Sequence, residues 1–145
     1  MQYTIKELTV EDLDSLDSFF ATLSSLTTAP KQTRERTESL LMGINEQGSK
    51  IFIAITPEHE IIGSLTLMIE QKMIRWGAKA GHIEDVVTRE GYEGNGIGKA
   101  LMNAAIAEAE NCGCYKIILD CENELIGYYE KFWFKNDGAF MRMYL

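Results

Sequence analysis

"GHIEDVVTREGYEGNGIGKALMNAA", residues 81–105, joins three structural signals end to end. "GHIEDVVT" is rich in β-branched residues and predicts a strand. Glycines at 94, 96 and 98 predict a tight loop. From Ile97 onward, Leu101, Ala104, Ala105 and Ala109 recur at helical spacing, and Gly113 marks the helix end. Strand, glycine loop and helix in that order suggest an anion cradle. A tight turn with no ligand is the plain alternative.

Three kinds of glycine loop compete. A Walker A loop needs a first glycine where Glu93 stands, and a Ser or Thr hydroxyl where Ala100 stands. That excludes a magnesium-dependent nucleotidase loop. A dinucleotide fingerprint needs G-x-G-x-x-G after an early strand, whereas this loop spaces Gly94, Gly96 and Gly98 evenly and comes late. The third kind is strand, x-x-G-x-G, helix. Its backbone approaches an anion closely, and the N–H groups of the first helical turn point at it. Such a loop suits the pyrophosphate of coenzyme A.

Working outward, "YTIKEL" (3–8) alternates as a first strand, and Thr9 opens a capping-box-like helix start with Asp12 in place of Glu. Leu13, Leu16, Phe19, Phe20, Leu23 and Leu26 continue at helical spacing and stop near "TTAP". A second helix is predicted over 31–45 with Leu40, Leu41 and Ile44 inward. "KIFIAIT" and "EIIGSLTLMIE" flank "PEHE" as a hairpin. After the central helix, "YKIILDC" reads as a strand, "NELIGYYEKFWF" as a short helix capped by Asn123, and "AFMRMYL" as a closing strand. The order predicts a mixed sheet with helices on both faces.

The 145 residues suit one domain, 1–145, with 46% hydrophobic and 25% charged residues. No apolar run is long enough for a transmembrane segment. "MQYTIKELTVEDLDS" lacks a basic start and apolar stretch, so no secretory signal is read and a cytoplasmic location is expected. A net charge of −8 argues against nucleic acid as a partner. Cys112, Cys114 and Cys121 are odd in number. They have no nearby histidine at zinc spacing, so free thiols and no metal are expected.

"HIEDVVTREGYEGNGIGKALM" resembles the acetyl-CoA motif of the GNAT acetyltransferases. "LMIEQKMIRWGAKAGHIEDVV" (67–87), "GCYKIILDCENELIGYYEKF" (113–132) and "LSSLTTAP" (23–30) resemble, more narrowly, the glucosamine-6-phosphate N-acetyltransferases. The likeness covers nearly the whole chain, weakly over 30–60 and strongly over 66–131. It implies the GNAT fold, an α+β class with a mixed, mostly antiparallel sheet of six to seven strands and about four helices. It further implies acetyl-CoA as cosubstrate, a homodimer with shared pockets, and a product on the way to UDP-N-acetylglucosamine.

Acetyl transfer needs a neutral amine, a held oxyanion and a proton for the departing thiolate. By resemblance, Asp85, Val86 and Val87 pair with the pantetheine arm. Glu93, Gly94, Asn95, Gly96, Ile97, Gly98 and Lys99 surround the pyrophosphate, and Tyr129 is the acid toward sulfur. Pattern alone would make Tyr129 a core residue beside Tyr128. Glu84 and Asp85 are adjacent on a strand and should face opposite sides, so at most one enters a given pocket. Asp85 could orient or deprotonate the amine, directly or through water, with Glu84 a further candidate. Asp120 ends an apolar strand, where a carboxylate needs a partner. The resemblance makes it a contact to the amino sugar. It likewise assigns Thr27, Lys72, Met73, Ile74 and Arg75 to the phosphorylated sugar, where the bland reading of Lys72 and Arg75 is solvated charge.

The resemblance has gaps. Glu93 replaces an Arg or Gln at the loop's edge, Leu125 replaces an asparagine, and Arg75 a frequent histidine. Trp133 stands where a glycine is usual, so the local turn should differ. Tyr144 aligns with a phosphate-binding arginine, and Arg142, on the same face of the predicted last strand, is its substitute. These gaps leave room for a different small amine as acceptor, or for a non-catalytic module that binds coenzyme A.

Overall fold

A computed structural model describes residues 1–145. Five strands lie side by side in sequence order: β1 (Thr4–Glu7), β2 (Lys50–Ile55), β3 (Ile61–Gln71), β4 (Lys79–Thr88) and β5 (Cys114–Ile118). The first three junctions are antiparallel and β4–β5 is parallel. The mixed, mostly antiparallel class is as expected, but the strand count is five rather than six to seven. The difference lies at the C-terminus. Residues 139–145 form no strand, and the last regular element ends at Phe132. Phe140, Met141, Met143, Tyr144 and Leu145 are all exposed, so this chain offers them no covered face.

A 3-10 turn over Val10–Ser15 leads into α1 (Leu16–Ser24). Asp12 fastens its start by accepting from the Thr9 N–H and hydroxyl, both at 2.9 Å, and from Lys6 Nζ at 2.7 Å. The predicted second helix begins later, as α2 (Arg34–Glu46), because Thr33 caps it by accepting the Arg36 N–H at 3.2 Å. Leu41 is buried there, but Leu40 faces out. Ile74–Gly77 (α3) is a single turn with Arg75 and Trp76 at left-handed φ of 53° and 56°. The central helix is α4 (Ile97–Asn111). α5 (Ile126–Tyr129) sits between 3-10 turns at Asn123–Leu125 and Glu130–Phe132. Asn123 is not its cap: the chain enters the first of these turns through Glu122, without a side-chain capping bond.

Alternation along β2 divides the interior. Ile51 and Ile53 pack with Leu8, Phe19, Leu41 and Ile61 on the α1/α2 side. Phe52 and Ala54 pack with Ile97, Leu101, Met102, Ala105 and Ala109 of α4 on the other. Each fully buried leucine or isoleucine there contributes about 1.5–3 kcal/mol. The helix approaches closely because Gly63 has no side chain: a Cβ there would fall 2.5 Å from Ile97 Cγ2.

Two irregularities of β4 prepare a site. Ser64 faces Val87 and Thr66 faces Glu84, so Leu65 alone opposes both Asp85 and Val86. This is a β-bulge, with Asp85 at φ 52°. It moves Val86, rather than Asp85, toward the α4 core. Secondly, β4–β5 pairing ends at His82 and Ile118, while β4 runs on to Thr88. Beyond that fork β5 does not pair with the edge of β4.

Candidate active site

The fork opens toward the N-terminus of α4. Gly96 enters the helix at φ 77° with no side-chain cap. The first intrahelical bond there runs from the Ala100 N–H to the Gly96 carbonyl at 3.0 Å. The N–H groups of Ile97, Gly98 and Lys99 therefore have no acceptor within the chain and point out of the helix end. The loop before them holds its own shape. Asn95 Nδ2 donates to the Tyr92 carbonyl at 3.0 Å, and the Tyr3 hydroxyl donates to the Asn95 carbonyl at 3.2 Å. Glu93, the misplaced charge of the sequence reading, turns back on the loop and accepts the Gly91 N–H at 2.8 Å.

Gly98 has a packing role as well. A Cβ on it would lie 2.7 Å from the Tyr128 hydroxyl, which brings α5 against the loop. Tyr128 meets Tyr129 edge-on, with ring centroids 5.1 Å apart. Tyr129 is buried in the α4-side core, as pattern alone suggested. Its hydroxyl nevertheless makes no bond within the chain, and no fully buried side-chain polar atom lacks a partner, so the hydroxyl reaches open space. Burial, then the neighbouring Tyr128, Cys121 and Asp120, pushes Tyr129 up to about 12. It is a protonated phenol at any physiological pH.

Across the fork lies a polar cluster. His82 and Glu84, two residues apart, share the face of β4 opposite the buried Ile83. His82 Nε2 is 3.0 Å from Glu84 Oε1 and 3.8 Å from Asp120 Oδ1. Arg142 Nη2 stands 3.9 Å from Asp120 Oδ2, and its Nη1 donates to the Tyr144 hydroxyl at 3.0 Å. Burial, and then the charge of Asp120, raises the Glu84 carboxyl above its ordinary value, against the pull of His82. One ligand atom from each of His82, Glu84 and Asp120 lies within 4.8 Å of the others, a spacing that could also meet a cation.

Several sequence expectations are corrected. Glu84 and Asp85 do not simply alternate: the bulge leaves Asp85 exposed at the margin, close enough only to oppose charge on Glu84. Lys72, Met73, Ile74 and Arg75 lie beyond the start of β4, five residues from Glu84 at Lys79, or roughly 17 Å along the strand. One chain therefore does not bring them to Asp120. Lys72 pairs with Glu70 at 2.6 Å and Arg75 stacks 4.8 Å over Tyr115. Trp133 keeps the left-handed turn instead of changing it, at φ 68°. Arg142 joins the cluster without the strand expected to carry it. Thr27 is exposed at the fork's end of the sheet, where Ser25 Oγ accepts the Glu90 N–H at 3.1 Å. His82 was missed, although its i, i+2 spacing from Glu84 was readable. Tyr128 was seen only as a neighbour of Tyr129.

This geometry agrees with what the chain is similar to. The acetyltransferase (GNAT) family matches residues 14–134. A glucosamine 6-phosphate N-acetyltransferase of Trypanosoma brucei brucei is 36% identical over 94% of this chain and 94% of its own. A probable glucosamine 6-phosphate N-acetyltransferase 2 of Oryza sativa subsp. japonica is 34% identical over 93% of this chain and 84% of its own. The crystal structure of glucosamine-6-phosphate N-acetyltransferase from Arabidopsis thaliana superposes with a TM-score of 0.92 at 31% identity, covering 99% of each chain. The chain belongs to the glucosamine 6-phosphate N-acetyltransferase family of the GNAT acetyltransferases.

Proposed function

We propose that this chain transfers the acetyl group of acetyl-CoA to the amine of glucosamine 6-phosphate, giving N-acetylglucosamine 6-phosphate and coenzyme A. The observation that carries the reading is the fork past His82 and Ile118. It leaves an edge of β4 for the pantetheine arm, between the uncapped start of α4 and the Glu84–Asp120 cluster. The pyrophosphate rests on the N–H groups of Ile97, Gly98 and Lys99. The arm pairs along Asp85–Val87 like an added strand, and a backbone N–H near Val86 polarises the thioester oxygen.

The amine is held and deprotonated by Glu84 with Asp120. Its nitrogen bonds to the thioester carbonyl carbon. The tetrahedral intermediate then collapses, the C–S bond breaks, and Tyr129 gives its proton to the leaving sulfur. None of these steps calls for a metal ion.

The phosphate favours a site shared between two subunits. Only Arg142 stands beside Asp120 in one chain, and Lys72–Arg75 are remote. Met73 within that remote segment, at 96% exposure, and Trp76 just after it, at 102%, give it uncovered apolar surface. A homodimer in which one copy presents Lys72–Arg75 to its partner's pocket would bring both cations to the sugar phosphate. The domain, 1–145, is read as working in the cytoplasm.

A second acceptor has one observation in its favour. The carboxylates Glu84, Asp85 and Asp120 outnumber the single nearby arginine, which suits a cationic amine without phosphate. Thiol release from acetyl-CoA with glucosamine 6-phosphate, glucosamine and spermidine separates the two readings. Preference for the 6-phosphate supports the first, and equal rates with glucosamine remove it.

A further inference from the structure

We propose that His82 is a positioning residue that aims the Glu84 carboxylate at the amine and carries the released proton from Glu84 to solvent. The inference rests on the acetyl-transfer reading and goes beyond it, because Glu84, Asp120 and Tyr129 do not by themselves account for where that proton goes.

The need follows from the balance of the reaction. An ammonium acceptor starts with three protons on nitrogen, and the amide product keeps one. One of the other two replaces the proton that Tyr129 gives to sulfur, directly or through water. The other has no place in either product and must leave the enzyme. Glu84 takes a proton from the ammonium nitrogen, leaving a neutral amine and a neutral carboxyl group. That carboxyl must then be emptied before the next turnover.

The surroundings of Glu84 offer one group fitted to empty it. Asp120 and Asp85 are carboxylates themselves, Asp120 within the cluster and Asp85 at its margin. Arg142 is a fixed cation and cannot accept a proton. His82 is an imidazole, whose two ring nitrogens can take a proton on one side and release one on the other. Its Nε2 lies 3.0 Å from Glu84 Oε1 and 3.8 Å from Asp120 Oδ1, within hydrogen-bond reach of the first. In the free chain the side chains of His82 and Glu84 are 30% and 38% exposed; an amine seated on Glu84 covers that carboxyl, and the ring beside it keeps contact with water while the site is filled.

The backbone holds the ring in place. His82 pairs with Met68 of β3 on one side and Ile118 of β5 on the other. It is the last β4 residue gripped by both neighbours before the fork. The ring therefore stands at the rigid corner of an opening cleft, where its orientation relative to Glu84 is fixed. Glu84 in turn faces His82, Asp120, Asp85 and Arg142, and of these only the His82 ring joins contact with Glu84 to a nitrogen that can accept its proton.

The test is steady-state turnover of His82→Asn and His82→Gln with glucosamine 6-phosphate, read across pH and at increasing imidazole concentration at fixed ionic strength. Thermal melting and acetyl-CoA binding of each variant check that the fold is kept. The amide side chains retain a hydrogen bond to Glu84 but cannot carry a proton. The expected result is a loss in kcat of at least tenfold, acetyl-CoA binding within twofold, and recovery of kcat as imidazole rises. The wild type should not respond to imidazole. Unchanged kcat in both variants, or a loss that imidazole does not restore, overturns the inference while leaving the acetyl-transfer reading intact. A wild type inactive on every amine overturns both.

Discussion

Gly98 and Tyr128 are mutually adjusted: a Cβ on the glycine would lie 2.7 Å from the tyrosine hydroxyl. The contact joins the anion-binding start of α4 to the helix that carries Tyr129. Tyr128 cannot swing freely, because it packs edge-on against both Tyr129 and Phe132. In Gly98→Ala, the added methyl is expected to displace Tyr128 and open the loop. Overpacking of this kind costs about 1–3 kcal/mol, so acetyl-CoA binding should weaken by roughly tenfold. Calorimetric titration measures it, and an unchanged Kd would mean that the loop does not depend on this contact.

Tyr129 combines a buried ring with a free hydroxyl. Tyr129→Phe keeps the ring's packing and removes the proton. Turnover should fall by roughly 100-fold while acetyl-CoA affinity stays within about twofold. Since Tyr129 is pushed up to about 12, it should contribute no alkaline limb to the pH–rate profile below pH ~10. Turnover unaffected by the substitution would remove Tyr129 as the acid.

Glu84 links activity to stability with opposite signs. Its folded carboxyl is raised above the ordinary 4.5 by burial and by Asp120. The protonated form is therefore the better tolerated one. That contribution to stability is full below 4.5 and is lost as pH rises through the higher folded value. Catalysis needs the other form, so the acid limb of kcat/KM should lie above 4.5. Glu84→Gln should melt higher than the wild type at neutral pH and turn over roughly 100-fold more slowly. A variant that melts lower at neutral pH would show that Glu84 is not held at a cost.

Gly63 sets the distance between α4 and the sheet. In Gly63→Ala the new methyl meets Ile97 Cγ2 at 2.5 Å and Leu101 Cδ1 at 3.1 Å, both on fully packed side chains. The strain should cost about 1–3 kcal/mol of stability, read as a lower urea midpoint. A midpoint equal to the wild type's would mean that α4 is free to shift outward.

The strand, glycine loop and helix over 81–105 were legible because each rests on local signals: β-branched residues, glycines and helical spacing. Tyr129 and Asp120 stand out through the words of sequence around them. The bulge at Asp85 was not legible, because it exists only in the pairing of β4 with β3, where one residue opposes two. His82 stayed hidden because its meaning depends on Asp120, which a different strand brings within 3.8 Å. The closing strand failed for a related reason. "AFMRMYL" has the residues of a strand, but a strand needs a neighbour and a cover, and one chain gives it neither. Trp133 holds a left-handed turn that glycine would favour, at φ 68° and 92% exposure, so no packing of its own side chain offsets the strain.

The most direct test of the account is release of free thiol from acetyl-CoA by the purified chain, with glucosamine 6-phosphate, glucosamine and spermidine compared at equal concentration. The account predicts thiol release that depends on the amine and is fastest with glucosamine 6-phosphate, with N-acetylglucosamine 6-phosphate formed in equal amount. No release above background with any of the three amines would contradict it.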